Sequence, residues 1–214
     1  MRLFNLPKPT EVNKVIPKNA FEAYTNTRQK KTFTDKILRI TWLNKIATDT
    51  TNLASKEILE IQVFNIELKD KLNIKDILTI INKAIPYPII FIVRFEDLVY
   101  LSTSPKHNNP KNENLAVIDY IYSTDWFIEN ENEFQIVLKE SIDWVYRTFC
   151  EQFNKPKTVI KNLNDLVTTK KEIDTLKREI EKIKLAMSRC NQFNRKVEMN
   201  FKLIELEENL KLYL

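Results

Sequence analysis

The chain has 214 residues, 43% of them apolar, a formal net charge of +5, a single histidine, two cysteines and no glycine. An average composition of about 7% glycine predicts roughly 15, and their absence argues against phosphate-cradling loops, dinucleotide fingerprints and the sharp turn that presents a hydrolase serine, all of which need backbone without a Cβ. The apolar share excludes a disordered chain, and the longest apolar run, IIFIV, falls far short of the roughly 20 residues of a membrane-spanning helix.

The first segment, MRLFNLPKPTEV, lacks the apolar core and small-residue cleavage site of a secretory signal, and Cys150 and Cys190 both fall inside helical patterns. A reducing, cytoplasmic setting is expected. Proline in LPKP and IPK punctuates the chain before a helix over 18–38, which would place Phe21, Tyr24, Phe33, Ile37 and Leu38 on its inner side. A strand follows at about 39–46, where Ile40, Trp42 and Ile46 alternate with polar neighbours. A second strand spans about 58–69, beyond the polar segment ATDTTNLASK. Asn73 then caps a short helix whose buried face is Ile74, Ile77, Leu78 and Ile81.

After AIPYP, the run IIFIVRF is apolar on both faces, as a central strand between two layers must be. Glu96 and Asp97 reverse the chain into LVYLSTS, so 89–102 reads as an antiparallel hairpin. PKHNNPKNEN reads as a loop, 116–122 as a further strand, and Phe134, Leu138, Ile142, Val145 and Phe149 predict one helix over about 131–153. These elements define an α+β domain over residues 1–153. Its sheet is mixed or antiparallel, with about five strands and with helices mainly on one face. NKPK links it to a tail over 154–214.

The tail carries the clearest pattern. Leu166, Ile173, Ile180, Met187 and Phe201 recur at one heptad position and Leu176, Ile183, Cys190, Val197 and Ile204 at the other, with Asn194 interrupting the seam. One long C-terminal coiled-coil helix is expected, its seam serving self-association, a protein partner or packing against the chain's own helix that ends near Phe153. The globular part is neutral, and the whole excess of positive charge lies after residue 153. Lys170, Lys171, Lys177, Arg178, Lys182, Lys184, Arg189, Arg195 and Lys196 form a cationic set that reads either as a solvated helix face laced with glutamate or as a nucleic-acid footprint.

Catalytic candidates are few. One imidazole and two distant cysteines exclude histidine–cysteine zinc clusters and paired-histidine metal sites, and His107 sits in a polar loop. No cofactor is expected. The alternative is a Mg2+-dependent nuclease, because Glu67 and Lys69 form an E-x-K pattern on the second strand, in which the acid holds the ion and the lysine helps activate water. A second carboxylate is required, which Glu57, Glu60 or Asp35 would have to supply. Trp42, Tyr100, Tyr120, Tyr122 and Trp126 are either base-stacking platforms or core residues.

Across LFNLPKPTEVNKVIPKNAF, AIPYPIIFIVRFEDLVYLSTSPKH and STDWF the chain resembles a family of uncharacterised prokaryotic proteins known as domain of unknown function 4391. The resemblance covers about residues 3–150 and carries no catalytic residue with it. What it implies is genomic company: helicase and DNA-methyltransferase genes in restriction-like phage-defence loci. The combined expectation is a non-catalytic accessory or assembly subunit of such a system, with DNA, a helicase or a methyltransferase as partner and no association with a membrane.

Overall fold

The structure, a computed structural model, describes residues 3–109, 112–153 and 160–213, and the chain divides into two compact units, Met1–Phe153 and Asn154–Leu214. The expected NKPK linker lies outside the described residues.

In the first unit, a 3-10 turn at Lys8–Thr10 leads into edge strand β1 (Glu11–Ile16), and a second 3-10 segment (Lys18–Tyr24) precedes helix α1 (Thr27–Lys36). The expected helix over 18–38 is therefore broken. Asn26 caps α1, accepting from Gln29 N at 2.9 Å while the Gln29 side chain accepts from Asn26 N, so the chain must leave its first turn before this box. Ile37 and Leu38 already belong to strand β2 (Ile37–Ala47), where Leu38 is exposed, and Tyr24, at the end of the 3-10 segment, is exposed as well. A single-turn helix α2 (Thr48–Thr51) then joins β2 to β3 (Glu60–Leu68).

Helix α3 (Lys75–Ala84) crosses from β3 to β4 (Ile89–Phe95), the parallel pair of an otherwise antiparallel sheet, and Asn73 Oδ1 accepts from Lys75 N at its start. β4 turns into β5 (Leu98–Thr103) through Glu96 and Asp97 as anticipated, with Glu96 in the left-handed region at φ 53°. The segment read as a loop instead begins β6 (Lys106–Asn109), which pairs with β7 (Asn112–Ile118) in a separate two-stranded ribbon. The short strands β8 (Tyr122–Ser123) and β9 (Phe127–Ile128) finish the main sheet against β5. The main sheet runs β1-β2-β3-β4-β5-β8 with β9 also on β5, seven strands rather than about five.

Both faces of this sheet are covered, which corrects the expectation of helices mainly on one side. Phe64, Ile66, Phe91 and Val93 point to the layer formed by Phe21, α1 and α3. By strand alternation, Ile61, Val63, Ile90 and Ile92 point the other way. There, helix α4 (Ile142–Glu151) buries Val145, Tyr146 and Phe149, with the Tyr146 hydroxyl 2.8 Å from Thr103 Oγ1.

The helix expected over 131–153 is confined to its last ten or so residues. Glu140, at φ 58°, cannot continue a right-handed helix, and Ser141 caps the new one by accepting from Trp144 N. Phe134 keeps its apolar role outside any helix or strand, packing on Phe149 and Phe153.

The second unit is an antiparallel helical hairpin: α5 (Leu163–Arg189) packs against α6 (Phe193–Lys211). Lys184 Nζ meets Glu207 Oε1 at 3.0 Å, and the Tyr213 hydroxyl bonds Glu172, which raises the Tyr213 pKa. The single long helix is thus replaced by two, because Cys190 turns to extended backbone (φ −85°, ψ 129°) and Gln192 caps α6 in the same region.

Candidate functional site

The hairpin carries the features that point outward. On α5 the expected seam is covered by the chain itself rather than left for a second molecule: Leu166, Ile173 and Ile180 are buried, and Leu176, Ile183 and Met187 are half-buried. On α6 the heptad reading fails. Phe193, Val197, Phe201 and Ile204 are all exposed, with Phe193 at 77% and Phe201 at 70%, while the inward face is Met199, Leu203, Leu206 and Leu210. Asn194 is exposed in the first turn of α6 and specifies no register, and Cys190 is the cap residue of α5, its thiol turned toward Gln192 O at 3.6 Å.

The reason is a change of phase. Reversing the chain at 190–192 restarts the helical count, so the α6 residues that continue the α5 heptads rotate to the far side. The signal was present in the sequence as Leu206 and Leu210, which fall out of step with Val197, Phe201 and Ile204.

The cationic set divides as well. Lys170 Nζ is held by Asp174 Oδ1 at 3.1 Å and Lys184 by Glu207, so two of the nine charges are neutralised locally. Arg178 lies along its own helix, donating to Asp174 O and Thr175 Oγ1, both at 3.2 Å. Lys171, Lys177, Lys182, Arg189, Arg195 and Lys196 are exposed.

The E-x-K residues are each engaged elsewhere. Glu67 Oε1 accepts from Asn65 Nδ2 at 3.2 Å, on the sheet face where Arg94 reaches both Asn65 and Glu129. Lys69 lies past the end of β3, and its ammonium donates to Thr34 O at 3.0 Å. Glu60, seven residues from Glu67, is about 23 Å away along the strand, beside Gln62 and Lys45. Among the described residues no group of three or more His, Cys, Asp or Glu side chains is placed to hold a metal ion.

Two polar residues to which the sequence assigned no role lie at the ribbon. His107 Nδ1 sits 2.9 Å from Asp119 Oδ1, fixing one ring nitrogen and leaving the exposed ring in solvent. Lys106 donates to Asn82 O at 2.9 Å, to Asn82 Oδ1 at 3.3 Å and to Ile85 O at 2.7 Å. It thereby closes the C-terminal carbonyls of α3, and burial pushes its pKa down to about 7.

The aromatic candidates are mostly structural. Trp42 packs on Phe64, Tyr100 stands edge-on to Trp126 at 4.7 Å with its oxygen accepting from Ile74 N, and Tyr122 is buried against Phe153. No described helix is long and apolar enough to cross a membrane.

Fold and surface together define an α+β protein with a seven-stranded mixed sheet and an appended helical hairpin whose outer faces are uncovered within their own unit. The chain belongs to the family described as domain of unknown function DUF4391, which it matches over residues 4–210. The match extends through the hairpin, well past the 3–150 stretch on which the resemblance first rested. No curated protein matches the chain. No solved structure does either.

Proposed function

We propose that the chain is a non-catalytic assembly subunit, working beside a helicase or DNA methyltransferase in a restriction-like phage-defence system, that α6 pairs it with a second copy of itself, and that the cations of the hairpin contact DNA. The exposed stripe Phe193, Val197, Phe201 and Ile204 carries this reading, since four large apolar side chains on one line of a helix leave water only by gaining a partner.

The spacing of the stripe favours a second copy. The stripe is nearly palindromic, so an antiparallel α6 sets Phe193 against Ile204 and Val197 against Phe201, as a two-fold interface requires.

Light scattering on the purified chain is expected to give twice the mass of one chain, and Phe193→Ser/Phe201→Ser to give a single chain with unchanged helicity. A wild-type monomer, with the stripe instead required for co-purification of a genomic neighbour, would replace self-pairing by hetero-docking. A monomer without any neighbour attached would end the assembly reading. The rival Mg2+ nuclease asks for a second carboxylate and a free lysine beside Glu67, whereas Glu67 accepts from Asn65 and Lys69 is tied to Thr34 O.

A further inference from the structure

The nine singled-out cations form geometrically separate groups, and one of these groups faces outward as a line. At about 100° per residue, Lys171, Arg178, Lys182 and Arg189 fall within an arc of roughly 40° on α5. That arc lies opposite the seam of Ile173, Ile180 and Met187. The four are spaced seven, four and seven residues apart, and all are exposed. With a rise of about 1.5 Å per residue, the line is about 27 Å long. Glu172 and Glu179 lie on one flank of it and Asp174 and Glu181 on the other, so no carboxylate interrupts the line itself. Lys170, Lys177 and Lys184 recur every seven residues beyond the second of these flanks, nearer the seam, where Lys170 and Lys184 are engaged by Asp174 and Glu207.

We infer that the outer ridge of α5, formed by Lys171, Arg178, Lys182 and Arg189, binds the phosphate backbone of double-stranded nucleic acid without reading its sequence. The inference rests on the DNA-contacting part of the reading above and names its site. A duplex presents a regular row of phosphates, about one negative charge per ~1.7 Å of axis, which a straight row of cations meets repeatedly. Ammonium and guanidinium groups on a convex helix surface contact phosphates and position the protein on the duplex without specifying bases. Affinity then comes from counterion release, which ties it to salt concentration.

The test uses the full chain and a fluorescein-labelled mixed-sequence DNA duplex of 30 base pairs, with anisotropy titrations between 50 and 200 mM NaCl. Wild-type affinity is expected to fall steeply with salt and to be indifferent to the duplex sequence. Lys171→Gln/Arg178→Gln/Lys182→Gln/Arg189→Gln is expected to bind at least tenfold more weakly at 100 mM and to flatten the log–log slope by about 3.6, since each phosphate contact contributes about 0.9. The smaller variant Arg178→Gln/Lys182→Gln should flatten it by about half as much. Lys170→Gln/Lys184→Gln should keep the wild-type slope.

The inference is overturned by a wild-type chain that does not bind the duplex, by ridge variants that retain the slope, by an equal loss in the Lys170/Lys184 variant, or by poly-glutamate binding as tightly as DNA. Because the readout is a salt slope rather than a mass, failure here leaves the self-pairing of α6 standing, and failure of that pairing leaves this result readable.

Discussion

Without glycine, other residues must occupy the left-handed turns that folding still requires. Asn13, Asn52, Glu96 and Glu140 do so, with φ between 50° and 59°. Asparagine tolerates this region through its short polar side chain, whereas a glutamate bears the Cβ clash of about 1 kcal/mol or more. Glu96→Gly and Glu140→Gly are therefore each expected to raise unfolding free energy by up to about 1 kcal/mol in urea titrations, glycine's greater unfolded-state entropy offsetting part of the relief. Asn13→Gly should gain less. Lys106 gives a second expectation of this kind. Its pKa is about 7 when folded and returns to the ordinary lysine value, about 10.4, when unfolded. Between those values the unfolded chain holds more protons, so stability rises with pH, by about 2 kcal/mol from pH 7 to pH 9. Lys106→Met is expected to abolish that rise in thermal melts recorded across the interval. A wild-type stability that is flat or falling between pH 7 and 9 would contradict it.

Among the helices and strands, periodicity located apolar faces but not the backbone that carries them. Phe134 and Phe149 share a helical spacing and do meet, yet an irregular segment outside the helix brings Phe134 there, because Glu140 and Ser141 begin the helix later. The same holds in α6, where Val197, Phe201 and Ile204 continue a heptad count that only an unbroken helix would honour. Two substitutions separate the readings. Leu206 is buried in the hairpin, and its change to alanine should cost about 2–4 kcal/mol of stability. Phe201→Ala should leave the thermal midpoint of a dilute, monomeric sample nearly unchanged. The reverse ranking would restore the continuous-helix seam.

Across both units, the surface features are unevenly shared: all of the chain's excess charge lies in the second unit, Asn154–Leu214, and an uncovered apolar stripe runs along its α6. If α6 pairs with a second copy, folding and association are linked, and the thermal midpoint of the wild-type chain should climb with protein concentration. The Phe193→Ser/Phe201→Ser variant should show no such climb.

Composition and local pattern were enough to argue against glycine-dependent nucleotide chemistry and zinc clusters, to locate β3, α3 and the β4–β5 turn, and to concentrate the charge in the tail, because each depends on residue identity or on neighbours a few positions apart. Three other features came only from long-range packing: helices on both sides of the sheet, separate partners for Glu67, Lys69 and Glu60, and the side of α6 that faces inward. Each turns on where the chain reverses. A reversal at 190–192 made by extended backbone, with no glycine or proline to mark it, rotates every later side chain without altering the spacing between them.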